Sequence, residues 1–310
     1  MRITKKIGYI FSPSGESSWW VSHAMAPSAV IIDNKIRVFL GGWDVNNISR
    51  ITYIDLDITN PKNILNISDK IALDIGGDGC FDENGVFPAH AFTINTDTIY
   101  LYYTGFQLGS KIRHYNFGGL AVSNDGGDSF SRIGKSPILD RQEEGLFVRA
   151  GQSIYPDEES GYHSVYSAGS SWFDCGNEQR PVYDIFYQKT PDGIVMQNKG
   201  KKIIEADFNY EHGLGRPQII KFSDWYYCFY TRRIIKDMKY FMGAARSKNL
   251  LEWEKVDDIF DDLNFGKKGE FDSDMMYFPS ILKISETRGL IFYSGNYFGE
   301  GGLGLFEMEF

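Results

Sequence analysis

The chain has 310 residues, of which 42% are hydrophobic, enough for one large core. A net charge of −9, from 41 acidic and 32 basic residues, argues against nucleic acid or an anionic membrane as the main partner, since both need a basic face. No run of about 18 apolar residues indicates a membrane span. The first residues, Met1-Arg2-Ile3-Thr4-Lys5-Lys6-Ile7, lack the apolar stretch and cleavage site of a secretory signal. Cys80, Cys175 and Cys228 show no metal-ligand or redox spacing, so reduced thiols and a cytoplasmic location are expected.

The 33 glycines and 15% aromatic content point to many short strands joined by tight turns. In chain order, Ala26-Pro27-Ser28-Ala29-Val30-Ile31 reads as a first strand and Ile36-Arg37-Val38-Phe39-Leu40 as its aromatic partner. The same pair recurs as Phe87–Phe92 with Tyr100–Thr104, Arg216–Ile220 with Trp225–Tyr230, and Phe278–Leu282 with Leu290–Ser294. Pro27 and Pro88 are 61 residues apart (88 − 27), and Pro217 and Pro279 are 62 apart (279 − 217). Pro88 and Pro217 are separated by two such periods, and Arg149–Ile154 with Tyr162–Ser167 fills the gap. A third strand follows in the middle units, each leading into an Asp- or Asn-containing turn: Gly119–Ser123, Ile185–Lys189 and Gly243–Ser247. Leu303–Met308 supplies a last strand beside the N-terminal segment. Five units at a near-constant period predict an all-β fold, a single five-bladed β-propeller over residues 1–310 with four antiparallel strands per blade. A β-sandwich, the competing architecture, does not ordinarily repeat five times at one spacing.

In a propeller, the segments that lead into the innermost strands meet at one end of the axis. Here those segments hold Asp82, Glu83, Glu211, Asp272 and Asp274, the imidazoles His23 and His212, and Arg149 and Arg216. Several carboxylates in one concave site push at least one pKa up while arginine holds others ionised, the split that general acid and base roles need. Glu211 is expected to be a proton donor, with Glu83, Asp82 and Asp274 as further catalytic candidates; His90, Tyr277 and Asn296 are expected contacts to substrate. Each has a plainer reading: a carboxylate capping its own turn, a histidine satisfied in the core, an asparagine closing a loop. Trp19, Trp20, Trp43, Tyr277 and Phe278 offer flat faces to sugar rings, although in so aromatic a chain each can equally be core. No ligand run calls for a metal, and no organic cofactor is implied.

The Pro-led strands, Leu101-Tyr102-Tyr103-Thr104-Gly105 and the turn Asn124-Asp125-Gly126-Gly127-Asp128 together resemble the five-bladed propellers of glycoside hydrolase families 32, 43, 68 and 130. Ser22-His23-Ala24, Cys80–Pro88, Asp272–Met276 and Tyr293–Gly299 resemble a poorly characterised branch of sugar-active propellers, some associated with bacterial surface-polysaccharide biosynthesis. The resemblance implies cleavage or transfer of a glycosyl group by carboxylate acid chemistry. In one respect the chain departs from it. Families 32, 43 and 68 place a catalytic aspartate directly before the first blade's proline, where this chain has Ala26. Either another acid such as Asp44 replaces it, or phosphate attacks as in the family 130 phosphorylases, or the site binds sugar without cleaving it. Arg50, Arg149, Arg216, Arg232 and Arg233 would hold phosphate if they converge. The expected partner is a sugar or glycosyl phosphate, with or without inorganic phosphate; the sequence leaves the oligomeric state open.

Overall fold

The structure is a computed structural model that describes residues 1–310 except 96, 177, 178, 198, 261, 262 and 264. It is all-β. Among the described residues the strands form antiparallel runs of four. The N-terminal strand is β1 (Arg2–Phe11). The first run is β2 (Ser22–Ile32), β3 (Lys35–Trp43), β4 (Ser49–Asp57) and β5 (Ile64–Ile67). The second is β6 (Val86–Thr93), β7 (Ile99–Leu108), β8 (His114–Ser123) and β9 (Ser131–Arg132). The third is β10 (Val148–Pro156), β11 (Tyr162–Asp174), β12 (Gln179–Thr190) and β13 (Lys201–Ile204). The fourth is β14 (Glu211–Phe222), β15 (Trp225–Ile234), β16 (Tyr240–Ser247) and β17 (Glu254–Lys255). The last is β18 (Tyr277–Lys283), β19 (Arg288–Ser294) and β20 (Leu303–Glu309), with β1 pairing to β20 on its outer edge. A one-turn helix, α1 (Asn296–Gly299), joins β19 to β20. No helix among the described residues is long and apolar enough to cross a membrane.

The first strand of each run packs against the first strand of the next, and β18 of the last run packs against β2 of the first. Apolar clusters fill the wedges between neighbours. Phe39 and Tyr53 of the first run join Leu101 and Tyr103 of the second, and Val165 and Ile185 of the third join Ile219 and Tyr230 of the fourth. Each first strand bulges, four of them at a proline and the third run's at Gly151: between Met25 and Ser28, Pro88 and His90, Ala150 and Ser153, Gly215 and Gln218, and Tyr277 and Ser280. Four of these bulges carry a residue with positive φ: Ala26 at 52°, Gly151 at 68°, Arg216 at 52° and Phe278 at 53°. For the three with side chains that conformation costs about 1–2 kcal/mol each.

A repeated hydrogen bond holds the kinks. The backbone N–H of each kinked residue donates to a hydroxyl at the end of the preceding run's second strand. Gly151 donates to Thr104, Arg216 to Ser167, Phe278 to Thr231 and Ala26 to Ser294, over 2.9–3.2 Å. The last of these ties the final run back to the first. Just past the prolines a second set repeats: Ala91 N–H to Ser28, Ile281 N–H to Gln218 and Ala29 N–H to Ser280.

Arg216 crosses the centre. Its guanidinium donates to the carbonyls of Pro88 (3.1 Å), Phe278 (3.3 Å), Pro279 (3.2 Å), Ala26 (3.3 Å) and Pro27, so one side chain of the fourth run bonds the first strands of three others. Burial lowers its pKa to about 9, which leaves it charged at neutral pH. Replacing Arg216 by Met removes the only shared donor from these carbonyls, and each buried acceptor left without one costs about 1–3 kcal/mol. The R216M variant should therefore lose about 5 kcal/mol or more in a denaturant titration; a midpoint unchanged from wild type would contradict this role.

A cationic axial cavity as the candidate functional site

A cavity of about 440 Å³ opens where the first strands begin, within the size range of small-molecule sites. Its floor is the kinked backbone at Gly151, Arg216 and Phe278. Its walls come from the connections between second and third strands: Trp43 and Asn47, Arg113 and His114, Arg180 and Pro181, Arg233 and Tyr240, and Phe298 of α1. Four arginines line it and no aspartate or glutamate does, among the described residues.

The polar atoms around it are poorly satisfied by the protein. Trp43 Nε1, His114 Nδ1, Asn116 Oδ1 and Arg233 Nε are buried without a hydrogen-bond partner, as is His212 Nε2 behind the wall. Buried polar groups in a folded protein are normally paired, so orphans gathered round one cavity mark a place for a polar ligand. His114 stacks on Phe106 at 5.0 Å; its burial, together with Arg113, Arg233 and Arg180, lowers its pKa to about 4. An aromatic side faces the mouth, where His23 stacks on Trp43 at 3.9 Å and Trp43 on Phe298 at 6.4 Å. Tyr297 and Phe298 are both left-handed, at φ 50° and 60°, and expose their rings.

Of the residues expected from sequence, Arg216 and Arg233, and the aromatic residues Trp43 and Phe278, line this cavity. The lead-in carboxylates point away from it into a repeated structural unit. Asp82 accepts from the Tyr103 hydroxyl (3.0 Å) and pairs with Arg132 (2.7 Å). Asp272 accepts from Tyr293 (2.7 Å) and pairs with Lys6 (2.7 Å). Glu144 accepts from Tyr166 (2.6 Å) and pairs with Arg149 (3.0 Å), and Asp257 accepts from Tyr230 (3.1 Å) and lies 3.3 Å from Arg232. In three runs the tyrosine sits directly opposite a glycine of the third strand, Gly119, Gly243 or Gly304, where any side chain would collide with the ring. These acids hold a tyrosine and an outer cation together within a run.

Glu211, expected as proton donor, is buried between Arg232 (2.8 Å) and Lys255 (2.5 Å). Burial pushes its pKa up, but the two cations outweigh it and leave it below the usual range, the wrong direction for an acid. Glu83 binds Gln107 and the Gly79 N–H, and Asp274 pairs with Lys239 at 2.7 Å. Asp44 caps its own turn through the Asn46 and Ile48 N–H groups and pairs with Arg50, which also reaches Asp74. Asn296 closes the loop at Asp274 and Met275, accepting both N–H groups at 2.8 Å. Tyr277 is buried beside Phe278, and Arg149 and Arg232 are held by the carboxylates named above. His90 takes the place of Ser28 and Gln218 in the second repeated link, facing the Ile154 N–H at 3.4 Å. His212 stacks on Phe173 and bonds the Pro181 carbonyl, and His23 bonds Ser22. Trp19 and Trp20 join the core between first and last runs. Among the described residues, the one carboxylate whose pKa rises through burial, Asp257, also lies outside the cavity lining.

Sequence reasoning missed Arg113, His114, Arg180, Tyr183, Tyr240 and Phe298. All lie at or near the connections between second and third strands, whereas the expectation placed function just before first strands. Strand alternation was the available signal: Thr231 and Arg233 line the cavity while Arg232, between them, turns to Glu211.

No family model matches the chain. It is 28% identical to the uncharacterized protein Rv1502 of Mycobacterium tuberculosis (strain ATCC 25618 / H37Rv), across 98% of this chain and 99% of that one. Among solved structures it is similar to a member of the GH130 family of mannoside phosphorylases, which contains glycoside hydrolases that target β-1,2 mannosidic linkages in Candida mannan; the TM-score is 0.72 at 12% identity, over 99% of this chain and 92% of that one. The chain has the glycosidase-like β-propeller fold. A glycosyl hydrolase from Bacteroides ovatus matches equally well, with TM-score 0.72 at 12% identity over 99% and 92%. A thermostable family-43 glycoside hydrolase gives 0.68 at 14% over 95% and 91%.

Two predictions follow from the site's electrostatics. The folded pKa values of His23, His114 and His212 are about 4 and that of His90 about 3, below the unfolded value near 6.5. Burial is the main cause in each. These groups stay unprotonated in the fold, so their contribution is present above pH 6.5 and falls as pH drops towards 4, at up to about 1.4 kcal/mol per pH unit for each group. The denaturation midpoint should be clearly lower at pH 5 than at pH 7; equal midpoints would contradict the assignment. For Glu211, the E211Q substitution should destabilise by about 2–4 kcal/mol through its orphaned cations, read as a lower midpoint in a denaturant titration; an unchanged midpoint would contradict the buried ion-pair role.

Proposed function

We propose that the protein is a five-bladed propeller whose axial cavity binds a saccharide carrying an anionic group, with sugar phosphates as the first class to fit. The observation that carries this reading is the wall itself: Arg113, Arg180, Arg216 and Arg233 line the cavity and, among the described residues, no carboxylate does. The five-blade count is supported by the five runs of four strands and by the hydroxyl links that join the second run to the third, the third to the fourth, the fourth to the last and the last to the first.

A wall of guanidinium groups suits phosphate, whose oxygens accept paired N–H donors, and repels cationic ligands. Hydrolysis by a carboxylate pair flanking the bond is poorly served here, because the acids nearest the first strands are ion-paired elsewhere. In this proposal a glycosyl group is transferred to or from phosphate: an oxygen of hydrogenphosphate bonds to the anomeric carbon as the bond to the glycosidic oxygen breaks, and the proton carried by the attacking hydrogenphosphate passes to that leaving oxygen. That reading accommodates Ala26, since phosphate takes the place of the aspartate nucleophile. A second reading, binding without turnover, is favoured by the same lack of a lining carboxylate.

The test is a panel of oligosaccharides and aryl-glycosides with the purified protein, with and without 10–50 mM (order of magnitude) inorganic phosphate. Phosphate-dependent release of a glycosyl phosphate is expected, reduced about 10-fold or more in R180Q. Turnover that needs no phosphate and disappears in E211Q or D272N would overturn the reading in favour of carboxylate hydrolysis. Tight binding of sugar phosphates with no turnover would place the protein in the second reading.

A further inference from the structure

Within the cavity, Arg233 is the arginine whose surroundings are most completely defined. It is 6% exposed and has no carboxylate partner among the described residues, in contrast to its neighbour Arg232. Its fork instead spans two tyrosines: Nη1 donates to the Tyr183 hydroxyl at 2.9 Å and Nη2 to the Tyr240 hydroxyl at 2.7 Å. Tyr183 lies on β12 and Tyr240 opens β16, so the three side chains bridge the third and fourth runs, and all three line the cavity.

The direction of these bonds fixes where the tyrosine protons go. Arginine is a donor only, so each phenol oxygen accepts from it and must direct its own O–H elsewhere. Neither hydroxyl donates to any acceptor among the described residues. We propose that Tyr183, Arg233 and Tyr240 form a donor-only clamp that receives an oxyanion, phosphoryl or carboxylate, carried by the sugar. The arginine supplies the charge, and the two hydroxyls, polarised by it, supply bonds to an acceptor that has no proton to give. A neutral sugar hydroxyl, which donates as well as accepts, gains less from such a site. An uncompensated guanidinium this deeply buried is costly in the empty protein, and an anion removes that cost. The inference rests on the anionic-saccharide reading of the same cavity and specifies which atoms read the charge.

The experiment is calorimetric titration of the full chain with glucose 1-phosphate, inorganic phosphate, glucuronate and glucose. It compares wild type with Y183F, Y240F, the double variant and R233K. Tyrosine-to-phenylalanine changes keep the ring and its packing, and melting temperature reports on folding separately. Each single variant should weaken the anionic ligand about 10-fold and the double variant about 100-fold, with glucose unchanged. R233K keeps the charge but not the two-armed fork, so it should weaken the anion by a similar factor instead of restoring it. Loss seen with glucose 1-phosphate and inorganic phosphate identifies a phosphoryl group; loss seen with glucuronate alone identifies a carboxylate; both support the clamp. Anion binding that survives unchanged in the double variant overturns the clamp and leaves the broader reading standing. If wild type binds none of the three anions more tightly than glucose, both fall.

Discussion

The architecture depends on how five separate first strands are held around one axis with their backbones kinked. Arg216 does this by placing a single guanidinium against carbonyls from three other runs, two of them adjacent to prolines that fix the chain's direction. The kinks cost free energy locally, and the serine and threonine hydroxyls of the preceding run offset it by accepting the exposed N–H of each kink. Because each hydroxyl belongs to one run and each kink to the next, local strain is balanced by contacts between runs. The same kinks form the floor of the cavity, so the fold's central constraint and the site's shape share residues.

Charge is sorted by position. The chain is acidic overall, yet its axial cavity is lined by arginine. Acids near the first strands are consumed in tyrosine–carboxylate–cation groups that recur from the second run to the last, while the first run has Leu40 at the tyrosine's place on its second strand. At the axis, Arg233 has only neutral partners among the described residues. A cavity of this kind concentrates anions from solution and strengthens each contact by excluding water.

Much of the fold was legible in the sequence. The Pro-led strands, their aromatic partners and the spacing near 61 residues are local patterns, and they fall inside observed strands from Ser22–Ile32 to Leu303–Glu309. The hidden third unit is also real: Val148–Pro156 pairs with Tyr162–Asp174. The site was much less legible. Asp82, Glu211 and Asp272 lie near one end of the first strands, but nothing local reveals that a tyrosine and a cation from other strands have captured Asp82 and Asp272, or that two cations have captured Glu211. Arg232 and Arg233 differ only in parity along one strand, and parity against the axis is set by the bulge between Gly215 and Gln218. Arg113, Arg180 and Tyr240 meet only because connections far apart in sequence converge in the ring.

The most direct test of the account is a crystal structure of the protein grown with glucose 1-phosphate. The account predicts density for the phosphoryl group inside the axial cavity, within hydrogen-bond distance of Arg233 and both tyrosine hydroxyls, with the sugar towards Trp43 and Phe298. A sugar phosphate bound instead beside Glu211 or Asp272, or an axial cavity holding only water at saturating ligand, would contradict it.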